Sequence, residues 1–179
     1  MNSSSINWYT LYTKQGLEKK VVSILSRKNI DNYCPLNKVK PQLNEWKRIA
    51  IEPLLPSYVF VRISENELST VCMIDAVINI VHWLGKPAIV SEEEIEVMKR
   101  FMNEYENVKI QKIPLNISNT APHIVENTGH VIVIKNNSIK ITLPSLGYMM
   151  FAELKKSNIE VIAANNQAYQ VSEKYRFAV

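Results

Sequence analysis

The sequence predicts an α+β protein in two parts, an N-terminal sheet carrying helices and a tail of short strands. Three observations predict it. An aromatic, β-prone run, WYTLY at 8–12, passes directly into a segment of helical period. The order strand, helix, strand, strand, helix, strand, helix then accounts for the chain as far as Glu106. Beyond Pro122 the texture changes to short β-branched runs broken by Asn, Gly and Pro, which suits a small barrel or rolled sheet.

The elements follow in order. Trp8 to Tyr12 reads as the first strand. Leu17, Val21, Ile24 and Leu25 fall on one stripe of an amphipathic helix, which the turn residues from Asn29 to Asn32 end. A strand is expected around 33–39, pushed to an edge by Pro35. Gln42 to Glu45 reads as a loop and Trp46 to Ile51 as a strand. Pro53 and Pro56 bracket Leu54 and Leu55, and YVFVRI at 58–63 is the clearest strand in the chain. A short helix is expected over 65–73 and a strand over 78–84. Ser91 and Glu94 form a capping box for a third helix, with Val90 and Ile95 as its hydrophobic staple. Glu92, Glu93 and Glu94 oppose the positive end of that helix's dipole, and Ile95, Met98 and Met102 face inward. A single antiparallel sheet with flanking helices, of ferredoxin-like type, is the natural arrangement. The expected division is a first domain over 1–106, a linker over 107–122 and a small β domain over 123–179. In the last, strands are expected at 131–134, 138–143, 159–162 and 169–171, with Gly129 and the pair Asn136 and Asn137 as turns.

Composition narrows the function. With 46% apolar and 21% charged residues the chain is that of a folded soluble protein. No apolar run approaches the roughly 20 residues that span a bilayer, and MNSSSINWYT lacks the features of a secretory signal, so a cytoplasmic location without membrane association is expected. Cys34 and Cys72 are too few for a disulfide framework and read as ordinary buried small residues. His82, His123 and His130 have no partners at metal-ligand spacing. Four glycines can hardly build a phosphate loop, and no nucleophile motif is present. The chain therefore reads as a non-enzyme with no cofactor and no metal. Charge is uneven: 10 basic residues face 4 acidic ones through Arg62, whereas 3 face 9 between Ile63 and Glu106. Opposite poles of this kind suit a nucleic acid on one side and a basic protein surface on the other, or simply two solvated helix faces.

Three segments in order resemble the NusG family of transcription elongation factors: WYTLYTKQGLEKKV at 8–21, PLLPSYVFVRI at 53–63 and VHWLGKPAIVSEEEI at 81–95. The first and third look closest to the operon-specific RfaH paralogues. The tail segment SIKITLPSLGYMMFAELKKSNIEVI at 138–162 is similar to UpxY-type antiterminators of capsular polysaccharide operons. The resemblance implies a NusG N-terminal domain followed by a degenerate KOW-type β-barrel, because IVENTGHVIVIK at 124–135 keeps only Gly129 of the usual glycine pattern. RfaH-like proteins can fold this domain as a helical hairpin; the β-branched runs here favour strands.

The implied partner is RNA polymerase, bound across its cleft by a monomer. By motif position the contact with the clamp helices of the largest subunit falls on an apolar pocket of Tyr12, Leu55 and Phe60, shaped by Pro56. The contact with the gate loop of the second-largest subunit falls near Ser69 and Thr70. Lys14, Lys19, Lys20 and Arg27 are the candidates for the non-template DNA strand. Helical geometry sets Lys19, Lys20 and Arg27 on one side of the first helix, away from Leu17, Val21 and Ile24. A ribosomal protein or Rho is a further partner that the tail domain suggests. A rival of another class is a KOW-type module acting on RNA or the ribosome apart from polymerase; it leaves the Tyr12–Leu55–Phe60 surface without a partner. A small acylphosphatase-like enzyme lacks its Arg-bearing phosphate loop here.

Overall fold

A computed structural model describes residues 5–39, 49–113, 125–127, 130–135 and 138–153. The chain divides into two compact units, Met1–Glu104 and Tyr105–Val179.

The first unit is built on β1 (Ile6–Thr13). After it come α1 (Glu18–Arg27), β2 (Asp31–Tyr33), β3 (Leu36–Val39), β4 (Ala50–Pro53) and β5 (Tyr58–Ser64). A 3-10 turn at Glu65–Glu67 leads into α2 (Leu68–Cys72), then β6 (Val77–Ile80), β7 (His82–Trp83), β8 (Lys86–Pro87), β9 (Ile89–Val90) and α3 (Glu92–Glu104). The main sheet runs β2-β5-β1-β6, all antiparallel, and β9 pairs with β1 beside β6. β3 and β4 form a separate hairpin, as do β7 and β8.

β1 is buried without a break from Trp8 to Leu11, the mark of a strand covered on both faces. On one face Tyr9 and Leu11 join Val59, Val61 and Ile63 of β5, Val21 and Leu25 of α1, and Leu68 and Val71 of α2. Each such side chain, once buried, contributes about 1.5–3 kcal/mol. The other face carries Trp8, Thr10 and Tyr12 opposite Arg62, Phe60 and Tyr58. α3 is fastened across it by its own side chains. The Trp8 indole donates to Glu92 at 3.0 Å, and the Lys99 ammonium lies 5.3 Å from the Trp8 ring centroid and 5.7 Å from that of Tyr33.

Local chemistry explains most boundaries. Pro35 splits the expected strand into β2 and β3. The Ser91 hydroxyl accepts a 3.2 Å hydrogen bond from the Glu94 amide, and Val90 and Ile95 are both buried beside this cap. A capping box starts the 3-10 turn, where the Glu67 carboxylate accepts from both the amide and the hydroxyl of Ser64. The strand expected over 78–84 is interrupted at Val81. Its second half turns out of the sheet into the β7–β8 hairpin, because Leu84 (φ 50°) and Gly85 (φ 79°) both adopt the left-handed region of a tight turn.

In the second unit, β10 (Lys109–Lys112), β11 (Val125–Asn127), β12 (His130–Lys135), β13 (Ser138–Leu143) and β14 (Tyr148–Glu153) form an antiparallel sheet in the order β10-β14-β13-β12-β11. Ile139, Ile141 and Leu143 alternate inward on β13, with Met150 and Ala152 buried on β14. Residues 109–112, expected as linker, pair with β14 instead. β12 and β13 lie where strands were expected; β14 was not anticipated. The expected loop at 42–45, the turns at 129 and 136–137, and the strands at 159–162 and 169–171 lie outside the described residues.

Candidate functional site

Of the residues expected at the clamp contact, Leu55 and Pro56 lie in the turn between β4 and β5, Tyr12 near the end of β1 and Phe60 within β5. Leu54 donates its amide to the Pro35 carbonyl at 2.8 Å, and Tyr58 donates to the Leu55 carbonyl at 3.2 Å. Pro56 is exposed at the apex. Ser57 follows with φ 66°, a left-handed conformation that costs a non-glycine residue energy. Two bonds hold it there. The Ser57 amide donates to the buried Glu18 carboxylate at 2.8 Å, and the Ser57 carbonyl accepts from the Thr13 amide at 2.8 Å. The turn is thereby tied to the start of α1 and the end of β1.

Burial of the Glu18 carboxylate works to raise its pKa. Hydrogen bonds from the backbone of Ser57, Glu18 itself and Gly16, with Lys19 nearby, outweigh that effect and hold it below the usual carboxylate value. Lys19 reaches the other way, donating to the Ile51 carbonyl at 2.8 Å.

The apolar pocket expected from Tyr12, Leu55 and Phe60 does not open as such. Leu55 (4% exposed) and Phe60 (0%) belong to the core. The reason is the register. Phe60 lies between Thr10 and Tyr33 in the middle of the sheet and stacks on Tyr33 with ring centroids 6.4 Å apart. Tyr12, one row nearer the turn, is 42% exposed and packs against half-buried Tyr58 at 5.8 Å between centroids. The accessible feature is this tilted tyrosine pair, with the two core residues beneath or beside it as support.

The other predicted residues are placed as follows. Ser69 and Thr70 are exposed on α2, whose Leu68 and Val71 face the core. Lys14, Lys20 and Arg27 are exposed; Arg27 donates to the Ser23 carbonyl one turn back, at 3.3 Å. α1 buries Glu18, Val21 and Leu25, so its basic residues do occupy the opposite side. His82, expected inside an apolar strand, is exposed on the hairpin and bonds the Ile80 carbonyl through Nδ1 at 2.7 Å. Sequence reasoning missed Glu18 and Ser57. The signal lay in an acidic residue at the first position of α1, on the same face as Val21 and Leu25, but carboxylates are so rarely buried that a solvated reading prevails.

The NusG family model, described as transcription termination factor nusG, matches residues 6–99, just over half of the chain. The chain belongs to the NusG family. NusG-family proteins are transcription factors without catalytic activity, and the family's factors bind RNA polymerase. No curated protein matches the chain. Among solved structures, one described as domain interaction in Thermotoga maritima NusG is 21% identical, with 86% of this chain and 96% of that chain covered and a TM-score of 0.49. Another, described as MjSpt4:Spt5 complex conformation A, is 17% identical, with coverage of 83% and 99% and a TM-score of 0.31. The family match spans β1 through the middle of α3 and so includes every predicted contact residue. Among the described residues there is no cluster of His, Cys, Asp or Glu able to hold a metal ion, and no helix long and apolar enough to cross a membrane.

Proposed function

We propose that this NusG-family chain is an operon-specific elongation and antitermination factor, of the UpxY and RfaH type, that bridges the RNA polymerase cleft and suppresses pausing or termination. The observation that carries the reading is the exposed Tyr12 ring, paired with Tyr58 beside a turn locked by Glu18, within the family-matched region. An aromatic that keeps 42% of its surface in water while Leu11 and Thr13 on either side of it are buried has the character of an interface anchor. The clamp helices take the Tyr12 and Pro56 end of the sheet, with Leu55 and Phe60 giving it rigidity from within. Ser69 and Thr70 on α2 face the gate loop. Such a bridge acts by binding the closed clamp more tightly than the open one.

Lys14, Lys20 and Arg27, with Lys19 beside the β4 backbone, form the basic side offered to the non-template DNA strand. Polysaccharide operons are the targets, the second unit is a degenerate KOW-type module, and a ribosomal protein or Rho is its partner. The test is co-purification of the full chain with core polymerase. Retention of the polymerase subunits by the wild type, and its loss in Tyr12→Ala, is the expected result; binding of RNA without polymerase would overturn the reading in favour of a ribosome-directed module.

A further inference from the structure

The β7–β8 hairpin is the most exposed apolar feature among the described residues that the proposed polymerase contacts leave unused. Trp83 is 74% exposed and Leu84, at the tip, 88%. Neither packs into the sheet, since the hairpin pairs only with itself, Trp83 opposite Lys86 and His82 opposite Pro87. Its base is closed by the Ala88 amide bonding the Val81 carbonyl at 2.8 Å, while Val81 is held to Thr10 of β1 at 2.9 Å. The platform is therefore rigid where it leaves the sheet. Exposing an indole and an isobutyl group side by side on a left-handed turn stabilises nothing within this unit.

Within the acidic 63–106 stretch the tip is a local exception. From Ala76 to Ser91 the chain contains no acidic residue, and Lys86 and His82 are both exposed. Lys86 makes no side-chain hydrogen bond or ion pair among the described residues. A flat aromatic face with an unengaged ammonium on the adjoining strand is the pair of groups that single-stranded nucleic acid needs, one for a base and one for its phosphate. We propose that the β7–β8 hairpin is a single-stranded nucleic-acid contact, in which Trp83 stacks on an unpaired base, Lys86 meets the adjacent phosphate and Leu84 flanks the stack. This deepens the proposed polymerase-bound role by adding a second strand contact, distinct from the basic side of α1.

The test uses the full chain, a fluorescein-labelled single-stranded 12-mer of thymidine, its duplex form and anionic phospholipid vesicles. Fluorescence anisotropy is expected to show the single strand preferred over the duplex. Trp83→Ala should weaken single-strand binding by roughly tenfold or more, and Trp83→Phe should restore most of it. Lys86→Gln should lower the slope of log affinity against log salt by about 0.7. Unchanged affinity in Trp83→Ala, equal affinity for the duplex, or binding to vesicles with none to the oligonucleotide would each overturn the proposal. Polymerase retention is measured on the same variants. A Trp83→Ala protein that retains polymerase yet binds the strand like wild type sinks the hairpin contact alone, whereas a wild-type chain that fails to retain polymerase sinks the functional reading beneath it.

Discussion

The buried Glu18 carboxylate accepts a hydrogen bond from the Ser57 amide, 2.8 Å away and 39 positions along the chain. That one bond joins the first helix to the turn beside Tyr12 and Tyr58. It also meets part of the cost of a left-handed serine.

Replacing this carboxylate tests the connection. Glu18→Gln is expected to destabilise the first unit by up to about 1.5–3 kcal/mol, the range for a hydrogen bond to a charged group. The folded-state pKa of Glu18 lies below the ordinary value of 4.5, so its contribution is complete above that value and is lost as pH falls through the folded pKa. Urea unfolding of both proteins between pH 7 and pH 3 should show the gap between wild type and Gln narrowing as the solution becomes acid. A gap that stays constant or widens would contradict the assignment.

Tyr12 and Phe60 should separate cleanly in mutagenesis. Tyr12→Ala is expected to weaken polymerase binding by about 1–3 kcal/mol while leaving the melting temperature nearly unchanged. Phe60→Ala removes a fully buried ring and should cost stability first, about 3–5 kcal/mol. Calorimetry beside an affinity measurement distinguishes the two; a Tyr12 variant that binds normally removes that ring from the interface.

The α3 attachment is a third case. Lys99→Gln abolishes the charge above Trp8 and Tyr33 along with the Glu96 ion pair, for an expected loss of about 0.5–1 kcal/mol at this partly exposed site. Amide exchange should quicken in α3 before it quickens in β1. If both elements respond alike, the aromatic–ammonium contact is not what holds the helix.

The basic side of α1 predicts a charge effect with little effect on folding. Lys20→Glu combined with Arg27→Glu should reduce recruitment at the target operon and leave affinity for free polymerase largely intact. Run-off transcription with the variant checks this: normal recruitment would exclude that face from the DNA contact.

The first unit was largely legible in the sequence because its elements carry periodic or capping signals that survive out of context. YVFVRI is rich in β-branched and aromatic residues, and Ser91 with Val90 and Ile95 marks a helix start whatever it packs on. The burial of Phe60 was not legible, since an aromatic on the second face of a sheet reads the same whether that face is covered or open. It took the Tyr33 stack and the α3 contacts to decide it. β10 and β14 were missed for another reason. KIQK has a single β-branched residue, Ile110, and YMMFAE has none, and their pairing with each other joins positions about 40 apart. The hairpin was hidden by the continuity of VINIVHWL, whose one marker of reversal is Gly85.

Because Val81 and Ala88 are already bonded to each other below His82 and Pro87, the six residues between them behave as an interchangeable cassette. Apart from the His82 ring, which bonds the Ile80 carbonyl of β6, its letters can be rewritten without touching the strands on either side. Selectivity for a new binding partner is then free to drift at this position while the scaffold that carries it stays the same.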